Sequence, residues 1–424
     1  MTEAISSLPK QPPQLLQGGV DFFPALITAI NDAADWVQLE SYIFDFHGAG
    51  TDVAEALVRA AQRGVTVQVL VDGIGTVPLE AVWGAKFQSA GVHWHVYSPL
   101  NANWPSLGLV RPDLWRRLHR KLCVVDQDLV FCGGINVLDD FYDPRHGVLA
   151  APRFDFTVAL HGPVAEVASE AMALLWWRVQ AGYSARRHHL AEAWEAFKAA
   201  GYGGRISAAQ LASRRTLALS GRPAGARDFL NLPAARAALL FRDNLLNRNI
   251  IERAYRKAIG HARQEILIAN AYFFPGGRLR RALIKAARRG VRVTLLLQGK
   301  YEFFMQYHAA RPVYGALLKA GVEIHEYEAS YLHAKVAVID GHWATVGSSN
   351  LDPLSLLLAR EANVVLDDRV FAKNLRERLL VAIAGHGRRV EPVEYNGRPW
   401  RQRMLDLVAY ALMRLALLLA GQRY

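Results

Sequence analysis

Through DVAEALVRAAQRG (residues 52–64) apolar residues recur at i, i+3, i+4 and i+7, the period of a helix with one buried face. Gly64 closes it, where a left-handed C-terminal turn costs glycine least. The uninterrupted apolar run VTVQVLV (65–71) then predicts a strand covered on both faces. The whole pattern returns later in the chain. ALVRAAQRGVTVQVLVDG (Ala56 to Gly73) aligns without a gap, over eighteen positions, with ALIKAARRGVRVTLLLQG (Ala282 to Gly299). ESYIF (40–44) answers NAYFF (270–274), and SAGVHWHVY (89–97) answers KAGVEIHEY (319–327). Each half therefore reads strand, helix, strand, helix, strand. Such repeats predict mainly parallel or mixed sheets covered by helices, in two halves related by a pseudo-twofold axis. Between the halves, roughly 184–233, basic clusters with Gly and Pro predict a helix followed by an irregular linker.

Each half then carries one unusual string, LHRKLCVVD (118–126) and LHAKVAVID (332–340): His, one spacer, Lys, four residues, Asp. In the second copy HAKVAVI reads as a strand, DG as a two-residue hairpin turn and HWATVG as the returning strand. His333 and Lys335, two apart, share a face. With Asp340 and Gly341 at the turn, paired residue numbers sum to 681, which sets Ser348 opposite His333 and Asn350 just beyond. With Asp126 and Gln127 at the first turn, Gly134 faces His119 and Asn136 follows.

Small residues beside a histidine admit a tetrahedral group, while Lys and Asn donate to its oxygens, so the constellation suits a phosphoryl group. Lys and Asn are not usual transition-metal ligands, and one His per strand is poor for zinc. No metal or other cofactor is expected. The bland alternative is a pair of surface-strand histidines; two complete copies at one spacing argue against it. Asp126 and Asp340, at the turns, either touch phosphate as catalytic residues or fix the hairpins. Asp155 in RFDFTVAL and Glu361 in REANVVL are candidate acceptors for the imidazole Nδ1–H groups.

At 424 residues and 52% hydrophobic content the chain buries a substantial core, with two or three domains as a prior. A formal charge of +12 calls for an anionic partner, either nucleic acid or an acidic membrane surface. Charge alone does not choose. Two cysteines, Cys123 and Cys132, give no disulfide framework. The N-terminal stretch has neither the basic nor the apolar region of a secretory signal, and no later segment reaches the ~18 uninterrupted apolar residues of a spanning helix.

HRKLCVVDQDLVFCGGIN and HAKVAVIDGHWATVGSSN resemble the paired HxKxxxxDxxxxxxGxxN signature of the phospholipase D superfamily. NAYFFPGG, KAARRGVRV, HWATVGSSNLDPLSLLL and EANVVL further resemble bacterial cardiolipin synthases, especially the B type, over roughly Pro24 to Asp368 outside the linker. Paired N-terminal membrane spans like those of the A type are not expected from this sequence. The resemblance implies an α/β fold in which two phospholipase D-like α/β/α sandwich domains with mixed central sheets form a pseudo-twofold duplication. The expected domains are 1–183 and 234–395, joined by 184–233 and followed by a basic, apolar membrane-associating helix at 396–424.

It also implies a two-step, metal-independent exchange. His119 attacks phosphorus, and His333 protonates the departing alcohol and later deprotonates the incoming one. Lys121, Lys335, Asn136 and Asn350, with Gly134 and Ser348, hold the phosphoryl oxygens. Asp155 and Glu361 match the superfamily's imidazole-orienting carboxylates, 36 residues after His119 and 28 after His333. The implied donor and acceptor are both phosphatidylglycerol, with cardiolipin and glycerol as products and an anionic membrane surface as partner. Nucleic acid is not an expected partner. The place implied is the cytoplasmic face of a bacterial inner membrane. A broader transphosphatidylase, a phospholipase D hydrolase, a nuclease and a noncatalytic membrane-binding protein are the alternatives.

Three stretches suit contact with a bilayer. Trp104, Leu107, Leu109 and Trp115 stand beside Arg116 and Arg117; Phe303, Phe304, Met305 and Tyr307 cluster in the second half. The C-terminal segment, apolar but interrupted by Asp406 and Arg414, predicts an interfacial helix, with a helix buried on the main body as its alternative.

Overall fold

The computed structural model describes residues 11–76, 79–99, 117–143, 146–186, 237–242, 247–301, 304–352 and 359–419. In the first half α1 (Gly18–Asp32) leads into three parallel strands, β2 (Trp36–Ser41), β3 (Thr66–Asp72) and β4 (His93–Tyr97). They are connected through α2 (Ala49–Gln62) and α3 (Ala85–Ala90). Beyond β2 the sheet turns antiparallel with β5 (Leu122–Val125), β6 (Leu129–Gly133), β9 (Phe156–His161) and β1 (Gln14–Gln17). The order is β1-β9-β6-β5-β2-β3-β4.

The second half repeats this order strand for strand. Parallel β11 (Glu265–Asn270), β12 (Arg292–Gln298) and β13 (Glu323–Tyr327) carry α6 (Gly277–Arg288) and α7 (Phe304–Leu318), with α5 (Ile250–His261) ahead of them. The antiparallel part is β14 (Lys335–Ile339), β15 (Trp343–Gly347), β16 (Glu361–Asp367) and β10 (Ala237–Arg242), and β17 (Gly387–Arg389) extends the far edge beside β13. A two-stranded ribbon, β7 (Tyr142–Asp143) with β8 (Gly147–Val148), lies outside both sheets. The expected mixed sheets are present in both copies. The proposed linker lies outside the described residues except its first three, which belong to α4 (Pro163–Arg186).

Alternation along the strands decides the layering. On β5, Cys123 and Val125 face the core under α1 and α2, whereas Leu122 and Val124 face the other half. On β14, Ala337 and Ile339 face α5 to α7, and Val336 and Val338 face the first half. The inner faces share one core, completed by Met172 of α4 and by Leu375 and Leu379 of α8 (Arg369–His386). With about 1.5–3 kcal/mol for each fully buried Val or Leu, this shared core holds the halves together.

The hairpin after each motif departs from the expected register by one residue. Ladder pairs in the second copy sum to 682, as in Val336 with Val346. Asp340 and Gly341 do form the turn, both at positive φ, closed by the His342 N–H donating to Ile339 O (3.3 Å). Pairing then resumes at Trp343, so His342 is a bulge. Asp126, Gln127 and Asp128 repeat this geometry. Both acids sit about seven residues of extended chain, roughly 20 Å, from their histidines.

Their carboxylates are otherwise engaged. Asp126 accepts the N–H groups of Ala34, Asp35 and Trp36 at 2.8–2.9 Å, and Asp340 those of Arg263, Gln264 and Glu265 at 2.8–2.9 Å. The candidacy of Asp126 and Asp340 as catalytic residues is therefore corrected: they splice each hairpin to the loop entering the neighbouring parallel strand. Partial burial pushes each carboxyl up, but the three amide donors outweigh it and leave both below the ordinary value.

At the C-terminus α9 (Pro392–Asn396) precedes α10 (Trp400–Leu419), which lies along α7. Asp406, the expected interruption of an apolar face, is the docking contact. Fully buried, it meets His308 Nδ1 at 2.7 Å and accepts from Arg398 at 2.7 Å. Met404, Leu405, Val408, Leu412 and Leu415 remain exposed. One face of the helix is docked on the main body and another is open to solvent. No helix among the described residues is long and apolar enough to cross a membrane. Trp104, Leu107, Leu109, Trp115, Arg116 and Phe303 lie outside the described residues, as does the side chain of Met305.

Asp340→Ala should lower unfolding stability by about 1–3 kcal/mol, the worth of charge-assisted bonds to backbone amides. The lowered carboxyl pKa means this stabilisation is present above the ordinary carboxyl range and is lost as pH falls through the folded value. Chemical denaturation of wild type and variant at pH 7 and pH 3 should therefore show a gap that closes in acid.

Candidate active site

The two motifs meet where the halves meet. The chain entering the first motif bridges the second half: Arg360 donates its N–H to Arg117 O (2.8 Å), and His119 donates its N–H to Arg360 O (3.0 Å). Reciprocally, Phe154 N–H donates to Tyr331 O (3.0 Å) and His333 N–H to Phe154 O (2.9 Å). Each bridge falls one residue before a carboxylate, Glu361 or Asp155. The backbone pairing thus fixes where those carboxylates stand.

They stand beside the histidines of the opposite half. His119 Nδ1 lies 3.0 and 3.1 Å from the two oxygens of Glu361, and His333 Nδ1 lies 2.6 Å from Asp155 Oδ2. The 36- and 28-residue spacings read within each half were thus not the relevant ones. With Nδ1–H donating to a carboxylate, Nε2 carries the lone pair. The imidazoles are 15% and 21% exposed, so one edge of each is open.

Gly134 and Ser348 face these carboxylates. A Cβ at Gly134 would come within 2.3 Å of Asp155 Oδ1, so only glycine lets Asp155 reach His333. The hydroxyl of Ser348 donates to Glu361. Both positions were expected to face phosphate; the one-residue register shift turns them toward the carboxylates instead. Asn136 and Asn350 are buried close by in sequence, and Asn136 Oδ1 accepts the Ile43 N–H (3.1 Å), leaving its amide nitrogen to donate.

Lys121 and Lys335 are buried, and each ammonium donates to the carbonyl of its own motif histidine, at 2.8 Å for Lys121. Burial pushes Lys121 down to about 7, against the pull of Glu361, with Lys335 lowering it further. Burial lowers His119, opposed by Glu361, and lowers His333 more strongly, aided by Lys335, Lys121 and His119. Asp155 is raised to about 7 by burial against Lys335. These groups feel one another's charge across the two motifs. The site holds its cations at a cost that an entering anion relieves.

Four further contributors escaped sequence reasoning. Tyr42 lays its ring on His119, centroids 4.9 Å apart, with Lys121 Nζ 5.2 Å from its centre. The shared Tyr of ESYIF and NAYFF was its signal. Arg120, the motif spacer, is buried against Glu40 (2.7 Å), whose carboxyl burial pushes up despite that arginine. Asp72 and Gln298, at the end of the aligned eighteen-residue segment, accept the N–H of Leu118 (2.9 Å) and Leu332 (3.1 Å), the residues just before each histidine. An oxygen acceptor at one aligned position was the available clue. Among the described residues no cluster of three or more His, Cys, Asp or Glu could hold a metal ion.

A duplicated α/β fold with two histidine–carboxylate pairs crossing between its halves defines a phospholipase D-like protein. A family model described as "Cardiolipin synthase, PLD-like domain" matches residues 26–143 and 255–380, and the chain belongs to this family. It is 37% identical over 412 residues to cardiolipin synthase B of Escherichia coli K12, covering 95% of this chain and 87% of that protein. Cardiolipin synthase A of Proteus mirabilis is 28% identical, over 94% of this chain and 74% of that protein. Among solved structures, the phosphatidylserine synthase of Haemophilus influenzae superposes with a TM-score of 0.64 at 14% identity, covering 97% of this chain and 96% of that one, a likeness of fold.

If the Nδ1 contacts orient the imidazoles, Glu361→Gln and Asp155→Asn should each lower turnover by about 10²-fold or more while leaving thermal unfolding within a few degrees. Steady-state assays paired with melting curves check this; full activity in either variant would remove its orienting role.

Proposed function

We propose that this chain is a phosphatidyltransferase that joins two phosphatidylglycerol molecules into cardiolipin and releases glycerol. What carries the reading is the crossed pair of His–carboxylate contacts with two buried lysines, in a chain of the cardiolipin synthase family.

In the proposed first step His119 Nε2 attacks the phosphorus of the donor. The P–O bond to the glycerol headgroup breaks, and the imidazolium of His333 gives that oxygen its proton. In the second step neutral His333 takes the proton from a headgroup hydroxyl of the acceptor, whose oxygen displaces His119 from phosphorus. Lys121, Lys335 and the amides of Asn136 and Asn350 stabilise the charge on the nonbridging oxygens. Electrostatics supports this division of labour. Beyond burial, His333 is held down by Lys335, Lys121 and His119, so an anionic phosphodiester cancels those fields and raises His333 toward protonation. Burial likewise lowers His119, with Glu361 opposing it and Lys121 and Lys335 adding to the lowering, which favours the neutral imidazole that a nucleophile needs.

Both substrates are lipids, and the open face of α10 offers a means of reaching them. Met404, Leu405, Val408, Leu412 and Leu415 form an exposed apolar strip, near Arg401 and Arg403, suited to shallow insertion among anionic headgroups.

Incubating purified protein with phosphatidylglycerol vesicles, followed by lipid mass spectrometry, should yield cardiolipin and glycerol, and His119→Ala should yield neither. Phosphatidic acid alone would mean hydrolysis, and an unchanged lipid would overturn the reading. Replacing Leu405, Val408 and Leu412 together with Gln should cut flotation with anionic vesicles at least about tenfold, since each loses roughly 1 kcal/mol or more of apolar transfer. Unaltered flotation would exclude α10 as the contact.

A further inference from the structure

The two halves nearly coincide at their histidines and differ just beside them. Asp72 and Gln298 occupy the same place, each holding the amide that precedes a motif histidine. In the first half the rest of that place is filled. Asp72 Oδ1 also accepts from Ile74 N–H (2.8 Å) and Gly75 N–H (3.4 Å), and Arg117 reaches it at 3.4 Å while donating to Ser98 O (3.1 Å).

In the second half it is open. Two residues before His333 stands Tyr331 where the first half has Arg117, and the aligned continuation of the chain reads Lys300 for Ile74. Gln298 spends its oxygen on Leu332 N–H, and its Nε2 is buried without a hydrogen-bond partner among the described residues. An unmet buried donor costs about 1–3 kcal/mol. Next to it opens a small cleft with a cavity volume of about 30 Å³, lined by Tyr272, Gln298, Lys300, Tyr307 and Arg311 among others.

The polar groups there indicate the class of ligand. Arg311 is neutralised by Glu326 (2.8 Å) and stacked on Tyr307, 4.4 Å from its ring centre, so it contributes shape more than charge. Lys300 Nζ donates to Ala329 O (3.1 Å) and has further N–H groups to give. With Gln298 Nε2 and the Tyr307 hydroxyl, the cleft presents several separated hydrogen-bonding groups around a small volume. That suits a compact polyol better than a hydrocarbon or a monohydric alcohol.

We propose that this cleft is the alcohol subsite of the transfer reaction. It holds the glycerol that departs in the first step and the glycerol headgroup that attacks in the second. The inference rests on the transferase reading above. The leaving and entering oxygens use the same side of phosphorus, that of the acid–base histidine, and Gln298 binds the residue adjoining His333. Among the described residues the subsite thus lies in the half that supplies the acid and base.

The test is incorporation of labelled glycerol into phosphatidylglycerol in mixed micelles, with ethanol as a competing acceptor that has one hydroxyl. Tyr307→Phe and Lys300→Met should lower kcat/KM for glycerol as acceptor about tenfold while kcat/KM for ethanol, which reports the second step alone, stays within about twofold of wild type. Gln298→Glu keeps an oxygen for Leu332 N–H but removes the donor, and should lower the glycerol-to-ethanol ratio similarly. An unchanged ratio in all three variants, or an equal loss with both alcohols, would overturn the subsite. A wild-type protein that transfers to neither alcohol would overturn the transferase reading, and the subsite with it.

Discussion

The structure depends on one constraint: neither histidine can be oriented by its own half. The carboxylate for His119 comes from β16 and that for His333 from the segment entering β9, each delivered by a backbone bridge one residue earlier. The shared apolar core between the sheets therefore does more than stabilise the molecule. It assembles the site, because separating the halves would leave two imidazoles without their carboxylate acceptors and two carboxylates without their imidazole donors. The two buried lysines add to this, and their burial gives the site its demand for an anion.

A duplicated fold supplies two equivalent histidines, yet a transfer reaction needs a nucleophile and an acid. The differences between the copies sit where that inequality is needed. Ser348 gives Glu361 a hydroxyl donor, whereas Gly134 gives Asp155 none, and burial raises the Asp155 carboxyl to about 7. Arg120 with Glu40 buries an ion pair on one side, where the other copy has Ala334. Asp72 is saturated, and Gln298 keeps a donor in reserve. Symmetry builds the frame, and these few side chains divide the labour.

Much of this was legible in the sequence. The repeat, the mixed sheets and the His, Lys, Asn, Asp155 and Glu361 set follow from periodicity and recurrence, which are local properties of the chain. Three things were not. The bulges at Asp128 and His342 shifted each hairpin by one residue, because a two-residue turn, Asp-Gln or Asp-Gly, specifies its own dihedrals but not where the ladder resumes. Asp126 and Asp340 recur in the motif as faithfully as the histidines, and recurrence does not separate a residue that binds three amides from one that meets substrate. The crossing of the carboxylates belongs to the docking of the halves, which no spacing within a half encodes.

The crossed pairing is the claim on which the rest stands, and nitrogen NMR of histidine-labelled protein tests it most directly. Glu361→Gln should change the ring tautomer of His119 and leave that of His333 in place, while Asp155→Asn should do the reverse. If Glu361→Gln instead perturbs His333, or neither variant moves the histidine of the other half, the site is not shared in this way and the account fails.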